Sequence, residues 1–210
     1  MSDLEQLLET QLADGALFIG QVVIRRHASG GFELRHRDDS DDISLVPKCA
    51  VEMAKFDDAG KYRPLRTAPN LRHGWRMLAA NLRAVIDLVD EIYPARLAAW
   101  RAWRLDRLTT TPLRETLNRQ TGMYRVAAKI ADAQIDELVG HFCRSNGGCL
   151  RIILWRLDSS GQIASRKLPP SKFDPESDQI GTGEKCLPLL CQEACNLLVN
   201  ECRKAVKTSS

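Results

Sequence analysis

The sequence predicts an α+β protein: an N-terminal β-hairpin with helices, then a small α/β cysteine-rich cluster domain ending in a long helix. Three observations carry that prediction. Residues 16–37 read as two strands around a turn, and the stretch 78–143 repeats its apolar residues at close to a helical period. Six of the seven cysteines fall in the last 68 residues, beside the strongest strand signal of the chain. With 210 residues, 44% hydrophobic and 27% charged, the chain can bury one large core or two small ones. That composition excludes a disordered or collagen-like polypeptide.

Leu4, Leu7, Leu8 and Leu12 share one face of a short amphipathic helix over 2–13. After Gly15, ALFIGQVVIRRH is rich in β-branched and aromatic residues, Ser29-Gly30-Gly31 turns, and Phe32 to Arg37 alternates, which gives the hairpin. The acidic tip DDSDD (38–42) and Pro47 lead into a helix expected over 48–56, and 57–70 is a loop with two prolines and a glycine. Apolar residues at 78, 82, 85, 86, 89 and 92 predict a second long helix. Pro94 suits the first turn of another helix that reaches Leu105. Thr111 as N-cap and Pro112 at N1 open a helix to about Gln120, stopped at Gly122. A helix over 132–143 follows, then the turn SNGG (145–148) and a strand CLRIILWRL over 149–157. Residues 165–185 form a long polar loop with three prolines, and a final helix is expected over 187–206. The change of character places a domain boundary near residue 130, with a scaffold domain over 1–130 and a cluster-binding domain over 131–210.

No stretch reaches eighteen apolar residues, so no membrane span is expected. The N-terminus MSDLEQLLETQLADG carries acids where a secretory leader has basic residues, so a cytoplasmic location with reduced thiols is expected. A net charge of +3 is too weak to argue for nucleic acid. From Lys61 to Arg107, however, ten Lys or Arg face four acids, which leaves a basic central region. Within it Arg96, Trp100, Trp103 and Arg107 share a helical face that could stack a flat, polycarboxylate tetrapyrrole or a nucleic acid. The plainer reading puts the tryptophans in the core with arginines at its rim. Arg114, Glu115, Arg119, Gln120, Thr121 and Tyr124 make a second polar cluster, either a ligand surface or a helix-cap network. His27, His36, His73 and His141 are scattered without HxxxH or HExxH spacing, so no histidine metal site is expected. GxSxG, Walker and GxGxxG motifs are missing, and no acid–base pair or nucleophile marks an active site.

The cysteines are the main clue. In a reducing compartment such clustering signals metal ligands or a redox centre more often than disulfides. Cys143 and Cys149 flank a glycine-bearing turn that can direct two thiolates at one centre. Cys191 and Cys195 are i and i+4, expected on the first turns of the last helix with Cβ atoms about 6 Å apart. Four thiolates are the usual complement of an iron–sulfur cluster, while C-x5-C and C-x3-C are looser than zinc knuckles. A structural zinc module and metal-free thiols remain the alternatives. Cys49 and Cys202 are assigned to packing, and Cys186 is the candidate substitute ligand.

Three segments, YRPLRTAPNLRHGW (62–75), TPLRETLNRQTGMYRVAAKI (111–130) and CLPLLCQEACNLLV (186–199), resemble a chelatase-associated bacterial family. The resemblance covers roughly residues 30–205, and its most specific parts are RQTGMYR and the CxEACNLL stretch. It implies an N-terminal stabilising domain, a C-terminal domain binding a 4Fe-4S cluster, and an association with sirohydrochlorin-type cobalt or iron chelatases of tetrapyrrole synthesis. The family's cluster cysteines map onto Cys143, Cys149, Cys191 and Cys195. This chain departs from the pattern with Gln192 in place of a proline and with the additional Cys186 and Cys202.

Overall fold

Ser2 and Glu5 close a reciprocal cap at the start of the chain. The Ser2 Oγ accepts the Glu5 N–H, and the Glu5 carboxylate accepts the Ser2 N–H at 2.6 Å. This cap fixes α1 (Asp3–Leu12), whose Leu8 and Leu12 are buried. The computed structural model describes residues 2–13, 15–39, 46–47, 50–53, 71–139, 143, 152–155 and 185–208. They fall into two compact units, one made of 1–106 with 175–189, the other of 107–174 with 190–210. The division lies at 106/107 rather than near 130, because α4 and the turn that follows it pack with the last helix.

In the first unit a five-stranded sheet runs in the order β4-β3-β2-β1-β6, where β1 is Leu17–Ile19, β2 Val22–Arg26, β3 Phe32–His36, β4 Arg76–Ala79 and β6 Lys185–Leu187. All neighbours are antiparallel except β1 and β6, which are parallel with Phe18 opposite Cys186. The expected hairpin is therefore a meander, since Gly20 splits its first arm. Gly20 has φ of +55°, and a Cβ there would stand 2.8 Å from the Leu189 side chain and 2.9 Å from the Tyr93 hydroxyl.

Helix α2 (Leu82–Ile92) buries Leu82, Val85, Val89 and Ile92 and is capped by Asn81, whose Oδ1 accepts the Ala84 N–H at 3.0 Å. It starts four residues later than the periodicity predicts, because 76–79 pair with β3 and leave Leu78 on the outer face of the sheet. Helix α3 (Arg96–Arg104) follows a left-handed Ala95 whose N–H is held by Asp90, so Pro94 precedes the helix instead of opening it. Trp100 is fully buried, as the core reading of the basic face expects, while Trp103 is only half-buried. Of the helix expected over 48–56, the described residues form a 3-10 turn, Ala50–Met53. The expected loop over 57–70 and most of 165–185 lie outside the described residues.

The second unit holds α4 (Leu113–Asn118), a 3-10 helix over Gly122–Lys129, α5 (Asp132–Leu138), and α6 (Asn196–Thr208). Pro112 sits one residue ahead of α4, and Gly122 starts a tight helix where a stop was expected. Strands β5 (Ile152–Ile153) and β7 (Leu190–Cys191) form a short parallel pair; of the strand predicted over 149–157 the described residues are 152–155, and the first two of them are strand. The final helix begins at Asn196, nine residues after its predicted start. Pro188 cannot donate to a helical ladder, and the flanking residues extend into β6 and β7. None of the described helices is long and apolar enough to cross a membrane.

Candidate cluster site

The second unit's core runs from Leu113, Leu117 and Ile130 through Ile135 and Trp155 to Leu198 and Val206. Three cysteines, Cys143, Cys191 and Cys202, are members of it, and Cys195 packs against it half-buried. Cys143 lies a few residues beyond α5 and is buried. Cys191 ends β7, opposite Ile153, and its carbonyl accepts the Leu154 N–H at 2.9 Å. Cys195 directly precedes α6, and its carbonyl accepts the Val199 N–H at 3.1 Å, which puts it at the N-cap. Cys191 and Cys195 thus belong to a strand and a helix head, and the expected i, i+4 helical pair is not formed. Cys149 lies outside the described residues, as do Cys49 and His141.

Around Cys191 the polar geometry is specific for sulfur. The Trp155 indole Nε1–H donates to Cys191 Sγ at 3.4 Å, and the Sγ lies 3.3 Å from the Glu193 carbonyl. A buried indole N–H directed at a cysteine sulfur is the kind of donor that stabilises a metal thiolate. Thiol donors on a largely apolar floor therefore suit a sulfur-ligated cluster. Cys202 differs. Burial pushes its thiol up to about 11, so it keeps its proton and packs one face of α6. Cys186 stands on β6 in the sheet of the first unit.

The polar residues of the RQTGMYR region serve as struts. Arg119 pairs with Glu193, which also accepts from the Thr116 hydroxyl at 3.4 Å, and the Thr111 N–H donates to the Gln192 carbonyl at 3.0 Å. Arg114 pairs with Asp132, and Gln120 caps the Thr116 carbonyl. The Arg203 guanidinium lies 5.3 Å from the Tyr124 ring centre. Thr111, Thr116 and Arg119 fasten α4 and its flanks to Gln192 and Glu193, Arg114 ties α4 to α5, and Arg203 ties α6 to the 3-10 helix; the ion pairs are largely exposed rather than buried as the helix-cap alternative had them. One grouping escaped sequence reading altogether: His36, Asp39 and His73 converge in the first unit, although 37 positions separate the two histidines.

Comparison with known proteins agrees with this division of the chain. Residues 4–104 match the family model of the DR2241 stabilising domain, and 105–204 match that of a 4Fe-4S iron–sulfur cluster binding domain. Among solved structures the chain is similar to DR2241 from Deinococcus radiodurans, with 27% identity and a TM-score of 0.69. That protein is described as multi-domain, similar in structure to chelatases and carrying two additional novel domains. The match covers 98% of this chain and 41% of DR2241, so the chain spans about two fifths of that protein's length. No curated protein matches. The chain thus carries a DR2241 stabilising domain over 4–104 followed by a 4Fe-4S iron–sulfur cluster binding domain over 105–204, as the two family models match it.

Proposed function

We propose that the protein is a cytoplasmic accessory protein that holds a 4Fe-4S cluster through Cys143, Cys149, Cys191 and Cys195. The observation that carries this is the sulfur-directed indole of Trp155 on Cys191, inside a unit that matches a 4Fe-4S binding domain. Such a cluster supplies one-electron chemistry, with a potential set by hydrogen bonds to sulfur and by solvent exposure. The chain's own part is to fix the donors: β7 holds Cys191, the α6 head holds Cys195, and the apolar floor keeps water from Cys143. The half-buried Cys195 leaves one edge of the site within reach of a redox partner. DR2241's likeness to chelatases supports a sirohydrochlorin-type cobalt or iron chelatase as that partner, in cobalamin or sirohaem synthesis.

A structural role is the second reading, favoured by the membership of Cys143 and Cys191 in the core of a small unit. Anaerobic purification with joint assay of iron, acid-labile sulfide and zinc, and spectra before and after dithionite, tests both. About four irons and four sulfides per chain, with a visible band that bleaches reversibly, is the expected result. The same iron without reversible bleaching favours the structural role. About one zinc and no sulfide makes the unit a zinc module and ends the electron-transfer reading.

A further inference from the structure

We propose that His36, Asp39 and His73 form a site for one divalent transition-metal ion, separate from the cysteine site and open to solvent on one side. His36 is the last residue of β3, Asp39 follows in the turn, and His73 stands three residues before β4. Because Arg35 pairs with Arg76, the chain leaves and re-enters the sheet at the same end, and this brings the three side chains together. One donor atom from each lies within 4.8 Å of the other two. The histidine rings are 4.0 Å apart, centre to centre.

Each member is prepared differently. His36 is 1% exposed at its side chain. Its Nδ1 accepts the Asp38 N–H at 3.2 Å, while its Nε2 is buried with no hydrogen-bond partner among the described residues. With Nδ1 accepting, the neutral ring carries its proton on Nε2 as a buried, unsatisfied N–H; a metal bound at Nε2 displaces that proton to Nδ1, where the Asp38 carboxylate, 3.9 Å away, is the acceptor at hand. Asp39 is 6% exposed, with Oδ2 taking the Gly74 N–H at 2.7 Å and Oδ1 taking the His73 Nδ1 at 2.9 Å. The backbone bond orients the carboxylate and leaves Oδ1 free to exchange a proton partner for a metal. His73, 66% exposed, is the adjustable ligand.

Tetrahedral zinc with bonds of 2.0–2.1 Å keeps its ligand atoms about 3.3 Å apart, so no pair in the triad has to close by more than roughly 1.5 Å. Two imidazoles and one carboxylate select the borderline ions, Zn2+, Co2+, Ni2+ or Fe2+, over Mg2+ and Ca2+. Three protein ligands leave room for water, as in zinc sites that do more than hold a fold.

The test is titration of the full-length, anaerobically purified protein with Zn2+ by calorimetry, together with zinc-edge X-ray absorption and iron and sulfide assays. The expected result is one zinc per chain with a nitrogen and oxygen shell near 2.0–2.1 Å and no sulfur near 2.3 Å. His73→Ala, an exposed change that leaves the buried pair in place, should weaken binding at least about tenfold with iron and sulfide unchanged. Three outcomes overturn the proposal: no binding up to about 1 mM zinc, equal affinity in His73→Ala, or a zinc shell that contains sulfur.

Discussion

Trp155 and Cys202 show how differently one core can treat two sulfurs. Trp155 offers a buried N–H to the Cys191 sulfur, whereas burial keeps the proton on Cys202. Cys191→Ser should therefore abolish iron and sulfide, and Cys202→Ala should retain both while costing about 1 kcal/mol of stability through lost packing. Metal assay and thermal unfolding of the two variants check this pair. Trp155→Phe keeps the ring volume and removes the donor. It should leave iron content intact and lower the reduction potential, since a hydrogen bond to a thiolate eases uptake of an electron, and protein-film voltammetry would read the shift. That Cys143 and Cys191 share one core, with Cys195 packed against it, agrees with the crowding of six cysteines into the last third of the chain. The meeting of His36 with His73 was not legible in the sequence, because it depends on which strands pair.

Elements with their own caps and a steady period were legible in the sequence. Helix α1 carries its capping box in Ser2 and Glu5, and the buried positions of α2 recur at helical spacing. Errors arose where two periods overlap. Residues 76–79 continue the apolar pattern of α2 but pair with β3, and Asn81 decides where the helix starts. Asn81→Ala should cost about 1 kcal/mol, measured by chemical denaturation. The head of α6 was misjudged for the same reason, as Leu187, Leu189 and Leu190 suit a buried strand as readily as a helix. Tyr93, at the end of α2, ties that helix to the sheet by accepting the Gln21 N–H at 3.0 Å. Burial pushes its phenol from 10.0 up to about 12. The unfolded chain releases this proton first, so stability should be full below pH 10 and fall as pH rises toward about 12. Tyr93→Phe should cost about 1 kcal/mol at neutral pH and flatten that alkaline decline, as denaturant midpoints across the range would report.

At the scale of the molecule the two units lean on different forces. The first buries Leu17, Ile24, Leu34, Trp75, Val89 and Trp100 between a sheet and helices. The second has two candidate cluster ligands inside its main core. Stripping iron with a chelator should accordingly raise amide exchange throughout α4, α5 and α6 while α1, α2 and the β1–β4 strands keep their protection. Uniform loss of protection in both units would contradict this division of labour.

The parallel strand β6 gives that division a topological twist. The chain returns to the first unit's sheet at Lys185–Leu187 and reaches Cys191 only four residues after Leu187. A four-residue span extends at most about 14 Å, so a chain that has lost its metal still carries Cys191 on a short leash from a folded sheet edge. Reassembly then becomes a search within a small volume, at an effective concentration on the millimolar scale. On the proposed assignment of Cys191, a strand paired in the first unit's sheet moors a ligand of the second, and its work begins when the metal has gone.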